Sequence, residues 1–346
     1  MKQPSILIIY TGGTIGMIND PETGLLAAFD FEHILIQVPA LKRFGFKLNT
    51  ISFDNPIDSS DINPAVWIEL AKIIKDNHDK YDGFVILHGT DTMSYSASAL
   101  SFMLENLHKP VIFTGSQLPI ETIRTDGKEN IITSIEIAAA KRNGNPVVPE
   151  VCIYFENHLY RGNRTRKYNA EHFDAFESPN YPPLAEVGIH IRYNFEAIQY
   201  PNQNKAINIK TNLDTNIGIL KLFPGISKEF VSAVLSTKGL KALVLETFGS
   251  GNAPTDEWFI SILENTIKKN IIILNITQCN AGSVELGRYE TSAQLEKVGV
   301  IGGGDLTTEA AITKLMFLLG QKLESREIEN YLKISIAGEI SLFKDY

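Results

Sequence analysis

Residues 5–16 read SILIIYTGGTIG, an apolar run that ends abruptly in a glycine-rich turn carrying the hydroxyls of Thr11 and Thr14. A compact apolar run bounded by turn residues is typical of a strand buried on both faces of a parallel sheet. Glycines permit positive φ and let a ligand approach the backbone closely. We therefore predict a buried strand whose carboxyl end carries a ligand-binding turn, because ligands of open α/β sheets bind at such strand ends.

Three further apolar runs have the same character, at residues 83–87, 111–113 and 151–155. Helical patterns separate them. One helix is expected to begin at Pro64, because Asn63 is a favoured cap residue and proline is favoured at the first helical position. Two more are expected from about Met93 to Leu107 and from about Lys128 to Arg142. Strands that alternate with helices predict an α/β fold with a mostly parallel sheet flanked by helices.

The apolar pattern breaks down in the polar stretch from about Tyr193 to Asp214, and then resumes. Strand-like runs follow at residues 217–223, 240–245 and 271–276, and helical stretches begin near Ser227, Thr255 and Thr308. We predict a larger amino-terminal domain over residues 1–195, a linker over 196–213, and a smaller carboxy-terminal α/β domain over 214–346.

Composition limits the possible partners and compartments. The formal charge of −8 opposes binding to nucleic acid. The two cysteines, Cys152 and Cys279, show no metal-ligand spacing, so we predict neither a zinc site nor a disulfide framework, and a reducing cytoplasm as the compartment. The apolar run that starts the chain is too short for a signal peptide, and no run reaches the roughly 20 residues that cross a bilayer, so no membrane partner is expected.

Hydroxyl and acidic side chains cluster at two other places. The segment from His88 to Asp91 follows the strand at 83–87, and the segment from Asp58 to Asp61 precedes Asn63. Each has a structural explanation, a helix cap for Thr90 and Asp91 and a solvated turn for 58–61. The alternative is that both segments join the glycine-rich turn at one edge of the sheet.

Lys167 ends the basic run of residues 161–167. Most lysines in such runs are solvated surface charges, but a lysine beside a carboxylate and two threonine hydroxyls could act in proton transfer. A nucleotide-binding role for the glycine-rich turn is disfavoured, because the spacing of its glycines matches neither GxGxxG nor the P-loop.

Taken together, the motifs identify a family. They are TGGTIG at 11–16, DSSD at 58–61, HGTDTM at 88–93, TGSQ at 114–117, LYRGNRTRK at 159–167, NITQC at 275–279 and VIGGGDLTTEA at 300–310. In this order the chain resembles the asparaginase family over essentially its whole length, and the RGNRT and ETFGSGNAP segments are more similar to the cytoplasmic type I enzymes. The resemblance implies hydrolysis of L-asparagine to L-aspartate and ammonia without metal or organic cofactor, in a homotetramer built as a dimer of dimers.

The resemblance also implies roles for individual residues. Thr14 matches the nucleophile, with Thr11 as its structural neighbour. A second catalytic group, which also contacts substrate, is formed by Thr90, Asp91 and Lys167. The remaining substrate-binding positions match Asp58, Ser59, Ser60 and Ser116, the last lining the amide pocket.

Two positions depart from the family pattern. Leu25 aligns with the tyrosine of the mobile loop after TGGTIG, so either another group orients Thr14 or the loop closes by apolar exclusion of water. A possible effector site for asparagine matches Thr277, Gln278 and Cys279, but Glu246 replaces its arginine. Because a glutamate repels the carboxylate of asparagine, we expect weak or absent activation.

Three rival interpretations compete with the asparaginase resemblance. The amidase subunit of a tRNA-dependent amidotransferase shares these domains but carries an extra amino-terminal domain, for which residues 1–10 are expected to leave no room. A nucleotide-dependent oxidoreductase is opposed by the glycine spacing. A non-catalytic asparagine-binding homologue is opposed by the joint presence of Thr14, Thr90, Asp91 and Lys167. Preference between asparagine and glutamine stays open.

Overall fold

The computed structural model describes residues 3–19, 26–28, 38–202, 204–287 and 290–341. The chain forms two compact units, one of residues 1–178 with 182–211 and one of residues 179–181 with 212–346. Most of the predicted linker, residues 196–213, belongs to the first unit, because a strand at Asn208–Ile209 pairs with residues 104–105. The predicted fold class, a larger and a smaller α/β region, is confirmed.

The first unit is built on an eight-stranded sheet. Its parallel strands are β1 (Ser5–Tyr10), β4 (Lys47–Ser52), β5 (Gly83–Leu87), β7 (Val111–Thr114) and β10 (Val151–Phe155). Three antiparallel strands extend it, β11 (His158–Arg161), β14 (Ala185–Val187) and β15 (Ile191–Tyr193). The strand order is β15-β14-β11-β10-β7-β5-β1-β4. Every residue of β1, β5, β7 and β10 is buried, as their apolar composition predicts.

Three helices of the first unit follow the predicted starts but not all of the predicted ends. They are α1 (Pro64–Asn77), α2 (Met93–Met103) and α3 (Gly127–Ala139). The side chain of Asn63 caps α1 by accepting from the amide of Ala65. α2 ends before Leu107 because β6 (Leu104–Glu105) pairs with β16 (Asn208–Ile209). α3 ends before Arg142 because β8 (Lys141–Arg142) and β9 (Asn145–Pro146) form a hairpin.

Short elements complete the first unit. β2 (Met17–Asn19) pairs with β3 (Leu26–Ala28), and β12 (Arg166–Lys167) pairs with β13 (Phe176–Glu177). 3₁₀ turns span Thr14–Gly16, Pro39–Arg43, Ser59–Asp61 and Gly162–Arg164. Across the described ranges, no helix combines the length and apolar character needed to cross a membrane.

The second unit contains a four-stranded parallel sheet. Its strands are β17 (Ile217–Lys221), β18 (Ala242–Thr247), β19 (Ile272–Thr277) and β20 (Ile301–Gly302), and they lie in this order. Its helices are α4 (Lys228–Leu235), α5 (Glu257–Ile267), α6 (Glu290–Lys297), α7 (Thr308–Gly320) and α8 (Ser325–Leu332). Apolar residues of β17, β18 and β19 form one buried cluster with residues of α4 and α5. The three predicted strands and the helices near Ser227, Thr255 and Thr308 are therefore present.

The register of the first sheet places three strand ends side by side. Tyr10 of β1 lies opposite Leu87 of β5, and Leu87 lies opposite Thr114 of β7. The ladder continues one step further, since the amide of Thr11 donates to Leu87 and that of His88 donates to Thr114. The segments after β1, β5 and β7 consequently leave the sheet at the same edge.

Candidate active site

Glycines bring the segments at this edge into backbone contact. Gly12 and Gly13 have φ of +130° and +88°. A Cβ on Gly13 would lie 2.4 Å from the Cα of Gly89, and a Cβ on Gly12 would lie 2.2 Å from the carbonyl oxygen of Ile57. Real Cβ atoms do not approach other atoms so closely, so these positions require glycine. The turn that carries Thr14 therefore packs directly on the loop that carries Thr90.

Thr14 is the first residue of its 3₁₀ turn and is partly buried. The turn is held by the amide of Gly16, which donates to the carbonyl of Gly13, and by the hydroxyl of Tyr10, which donates to the carbonyl of Gly16 over 3.1 Å. Thr11 is buried and its hydroxyl donates to the carbonyl of Leu87. The hydrogen bond of Thr11 thus holds the turn on the sheet. Thr14 comes directly after Gly13 in the chain, the residue that contacts the Thr90 loop.

Lys167 joins Thr90 and Asp91. Its ammonium lies 2.7 Å from the hydroxyl oxygen of Thr90 and 2.7 Å from a carboxylate oxygen of Asp91. The side chain of Lys167 is 16% exposed and that of Asp91 is 65% exposed. Lys167 is therefore not a solvated surface charge, and the fold brings it to an aspartate that lies 76 residues earlier in the chain.

The helix-cap interpretation of Thr90 and Asp91 is not supported. The cap residue of α2 is Thr92, whose side chain makes no cap hydrogen bond. Its hydroxyl donates instead to the carbonyl of Ser59 over 2.6 Å. Thr90 and Asp91 lie before the helix, and their side chains accept hydrogen bonds from Lys167 and do not cap the helix.

The basic run before Lys167 is internal. Arg161 and Arg164 are 1% and 2% exposed. The guanidinium of Arg161 pairs with the carboxylate of Glu150 at 2.6 Å and donates to the carbonyl of Ala197 over 2.8 Å. Buried charges are retained only when they are paired. The buried arginines of the run therefore support the strand that carries Lys167. The sequence does not indicate this role, because a run of basic residues is typical of a charged surface.

The segment from Asp58 to Ser60 combines a capped turn with a contact to the Thr90 loop. The carboxylate of Asp58 accepts from the hydroxyl and the amide of Ser60 over 2.7 and 2.8 Å, which lowers its pKa. Ser59 is buried, and its hydroxyl oxygen accepts from the amide of Asp91 over 3.3 Å. Asp58 and Ser60 are exposed. The prediction of a solvated turn is therefore correct for Asp58 and Ser60, whereas Ser59 is buried against the Thr90 loop.

Ser116 and Gln117 follow β7. The buried hydroxyl of Ser116 donates to the carbonyl of Leu118 over 2.6 Å. The side-chain oxygen of Gln117 accepts from the hydroxyl of Thr90 over 3.2 Å. Gln117 is the last residue of the TGSQ motif, and no spacing signal in the sequence assigns it a role.

His88, like Gln117, belongs to a sequence motif that does not indicate the role of the residue. It is 1% exposed, and burial lowers its pKa to about 4. One ring nitrogen, Nδ1, contacts the carbonyl of Gly89 at 2.6 Å, and Nε2 contacts the hydroxyl of Ser96 at 2.9 Å. Because a carbonyl can only accept, Nδ1 carries the proton of a neutral ring. His88 thereby fixes the peptide unit that precedes Thr90.

The expected effector residues lie in the second unit. The hydroxyl of Thr277 donates to the carbonyl of Gly249, and the side-chain nitrogen of Gln278 donates to the carbonyls of Leu222 and Glu246. Cys279 is exposed.

Glu246 is 8% exposed. Its carboxylate accepts from the hydroxyl of Thr308 over 2.7 Å and lies 3.8 Å from the ammonium of Lys221.

Leu25 lies outside the described residues. The described part of the chain offers no group of three His, Cys, Asp or Glu side chains that could hold a metal ion.

Comparison with known proteins identifies the family of the chain. Residues 5–199 match the amino-terminal domain model of asparaginases, and residues 216–332 match the carboxy-terminal domain model of glutaminases and asparaginases. L-asparaginase 1 of Escherichia coli K12 is 43% identical over 342 residues, which cover 99% of each chain. The crystal structure of L-asparaginase I from Vibrio cholerae has a TM-score of 0.89 and 41% identity, covering 99% of this chain and 100% of that one.

A more distant relative bears on one rival interpretation. A glutamyl-tRNA(Gln) amidotransferase subunit of Pyrococcus abyssi is 32% identical over 348 residues, which span 98% of this chain and 77% of that protein. These matches define the chain as a two-domain amidohydrolase. It belongs to the asparaginase family, and the predicted resemblance to the type I enzymes is confirmed.

Replacing Gly13 by alanine should separate the turn from the Thr90 loop. Gly13→Ala meets the backbone of Gly89, whereas Gly144→Ala has a similar φ of +84° and nothing within 4 Å. The control should lose only about 1 to 2 kcal/mol of unfolding free energy from the strained φ. Gly13→Ala should lose more, together with amidohydrolase activity. Denaturant unfolding and ammonia release measure both, and equal effects of the two substitutions would contradict the contact.

The neutral His88 should make stability dependent on pH. Its folded-state pKa of about 4 lies below the ordinary histidine value of 6.5, so the unfolded chain binds a proton first as the pH falls. The contribution is complete above pH 6.5 and should be lost between about pH 6.5 and 4, amounting to about 3 kcal/mol. His88→Gln lacks this titration. The excess unfolding free energy of wild type over this variant should therefore shrink with falling pH, and a constant difference would refute the assignment.

Proposed function

We propose that this chain is an L-asparaginase, which hydrolyses the side-chain amide of L-asparagine to L-aspartate and ammonia with Thr14 as the nucleophile. The observation that carries the proposal is the ammonium of Lys167, 2.7 Å from both Thr90 and Asp91, beside the Gly13–Gly89 contact. A threonine hydroxyl is a weak nucleophile unless a neighbouring group takes its proton. The contact between the turn of Thr14 and the loop of Thr90 supports this role for Thr90, Asp91 and Lys167.

In the first half-reaction the hydroxyl oxygen of Thr14 attacks the amide carbon of asparagine. Thr90 takes the hydroxyl proton as its own proton passes to Lys167, which gives one to the carboxylate of Asp91, and the carbonyl oxygen becomes an oxyanion. Backbone N–H groups of the glycine-rich turn stabilise that charge. The C–N bond then breaks, the nitrogen takes up the proton that returns through the same group and leaves as ammonia, and a β-aspartyl ester remains on Thr14.

In the second half-reaction water attacks the ester carbon. Thr90, with Lys167 beside it, accepts a hydrogen bond from the attacking water and relays its proton towards the departing oxygen of Thr14. The ester bond breaks, aspartate leaves, and Thr14 regains its hydroxyl. The proposed steps use side chains and backbone N–H groups of this chain, and water.

The substrate would be held by the 58–60 segment. The lowered pKa of Asp58 keeps its carboxylate ionised, which suits the α-ammonium of asparagine. The hydroxyl of Ser59 accepts from the amide of Asp91, so its own proton stays available for the α-carboxylate. The hydroxyl of Ser116 gives its proton to Leu118, so its oxygen can accept from the amide nitrogen of the substrate.

Two other functions compete with this proposal. An amidase component of a tRNA-dependent amidotransferase is favoured by the match to the Pyrococcus abyssi protein, but that relative has length beyond the matched part. A non-catalytic asparagine-binding protein would keep the fold and lack turnover. Ammonia release from asparagine and from glutamine by the purified chain, without RNA, separates all three.

Removing the nucleophile is the direct test of the proposal. Thr14→Ala should lower ammonia release from asparagine by at least about a thousandfold, because a covalent nucleophile cannot be bypassed. Thr50→Ala removes an exposed threonine from β4 and should leave the rate unchanged. Both variants should melt at the wild-type temperature. An undiminished rate in Thr14→Ala would remove the proposed mechanism.

Activation by asparagine should be weak or absent. We propose that the carboxylate of Glu246, at the place that would bind the effector carboxylate, repels it. Initial rates should follow a hyperbola in asparagine concentration and should keep that shape in Thr277→Val. A sigmoidal curve that becomes hyperbolic in Thr277→Val would show that the effector site works in spite of Glu246.

The active enzyme is proposed to be a cytoplasmic homotetramer, a dimer of dimers. Sedimentation equilibrium on the purified chain should return four times its mass of 38.5 kDa at assay concentrations. A monomer with full activity would refute the proposed assembly.

A further inference from the structure

We infer that Thr92 is a positioning residue that fixes the distance between the substrate-holding segment 58–60 and the Thr90 loop, and thereby sets the preference for asparagine over glutamine. The inference rests on the proposed function, because it assigns a specificity role within the same site. It starts from the hydroxyl of Thr92, which donates to the carbonyl of Ser59 over 2.6 Å. Thr92 therefore acts on the reaction through the residues that would hold the substrate.

The place of Thr92 in the helix makes this contact informative. Thr92 is the cap residue of α2, a position where a threonine side chain usually accepts a hydrogen bond from a helix amide and stabilises the helix. Its side chain makes no cap hydrogen bond. The hydroxyl donates instead to a residue that lies 33 positions earlier in the chain. A residue that gives up a stabilising local contact in this way is typical of a functional site.

The Thr92 contact orients the carboxylate of Asp58 through one peptide unit. The carbonyl of Ser59 and the amide of Ser60 belong to the same planar trans peptide, so they point in opposite directions. With the carbonyl held by Thr92, the amide faces the carboxylate of Asp58 and donates to it over 2.8 Å. Thr92 thus fixes the direction of the carboxylate that would bind the α-ammonium of the substrate.

Ser59 is held against the Thr90 loop at two further points. Its hydroxyl oxygen accepts from the amide of Asp91 over 3.3 Å. A Cβ on Gly89 would lie 2.6 Å from both the Cβ and the hydroxyl oxygen of Ser59, so the two segments pack without a gap. The hydroxyl that would bind the α-carboxylate of the substrate is therefore kept at a fixed distance from Thr90.

A fixed distance between these groups selects the length of the substrate side chain. The α-groups of asparagine and glutamine are identical, but the amide carbon of glutamine lies one methylene further from them. When the α-groups are held in place, only one of the two amide carbons meets the hydroxyl of Thr14 in a geometry that allows attack. A difference of one methylene changes kcat/KM by about 10- to 200-fold. The preference for asparagine therefore depends on the Thr92 contact.

Thr92→Val tests the contact, because it keeps the shape of the side chain and removes the hydroxyl donor. The 58–60 segment should then be held less firmly, so KM for asparagine should rise about tenfold while kcat stays within about twofold of wild type. For glutamine, kcat/KM should change by less than about twofold, since a looser segment can adjust to the longer side chain. Ammonia release from the two amides should show the preference for asparagine falling about five- to tenfold.

Two controls accompany this variant. Thr92→Ser keeps the hydroxyl and should keep the wild-type preference. The product aspartate carries the same α-groups without the amide, so its inhibition constant should rise about tenfold in Thr92→Val and stay unchanged in Thr92→Ser. Melting temperatures monitor folding, and Thr92→Ala replaces Thr92→Val if the valine variant does not fold.

The inference is overturned by equal losses for asparagine and glutamine in Thr92→Val, which would show a purely structural role. It is also overturned by an unchanged inhibition constant for aspartate in that variant, or by a wild-type enzyme that does not prefer asparagine over glutamine. Failure of the proposed function looks different. Wild-type protein that releases no ammonia from asparagine, or Thr14→Ala that releases it at the wild-type rate, would overturn the proposed function before Thr92 is changed.

Discussion

The ammonium of Lys167, shared between the hydroxyl of Thr90 and the carboxylate of Asp91 at 2.7 Å each, is the contact on which the proposed chemistry depends. A partly buried cation needs such partners, and the rest of the first unit is arranged to bring them together. The buried guanidinium of Arg161 anchors the chain before Lys167, and the sheet register delivers the Thr90 loop. In the proposed mechanism, the positive charge of Lys167 lies where a proton is moved.

Backbone contact, more than side-chain contact, joins this group to Thr14. The absence of side chains at Gly13 and Gly89 lets two loops meet at a distance that no other residue pair would permit. Neutral His88 and the Ser59 hydroxyl fix the other side of the Thr90 loop. Close backbone packing and hydrogen bonds between side chains and the backbone therefore hold the site, which suits the proposed reaction because it depends on the orientation of hydroxyl groups.

Much of this arrangement was predictable from the sequence, and the exceptions have physical causes. Apolar runs predict β1, β5, β7 and β10, because strands buried on both faces need them. The early ends of α2 and α3 depend on pairing with distant or hairpin partners, which helical periodicity does not encode. The buried state of Arg161 and the hydrogen bond from Thr90 to Gln117 are properties of tertiary contacts, so the charged run and the TGSQ motif carry no signal for them.

The role of the Lys167 contact can be measured directly as the rate of ammonia release by Lys167→Met, which keeps the length of the side chain and removes its charge. The account predicts that kcat for asparagine falls by about a hundredfold or more, the usual contribution of a proton-transfer group, in a variant that folds and binds substrate normally. A folded Lys167→Met enzyme that releases ammonia at the wild-type rate would contradict the account.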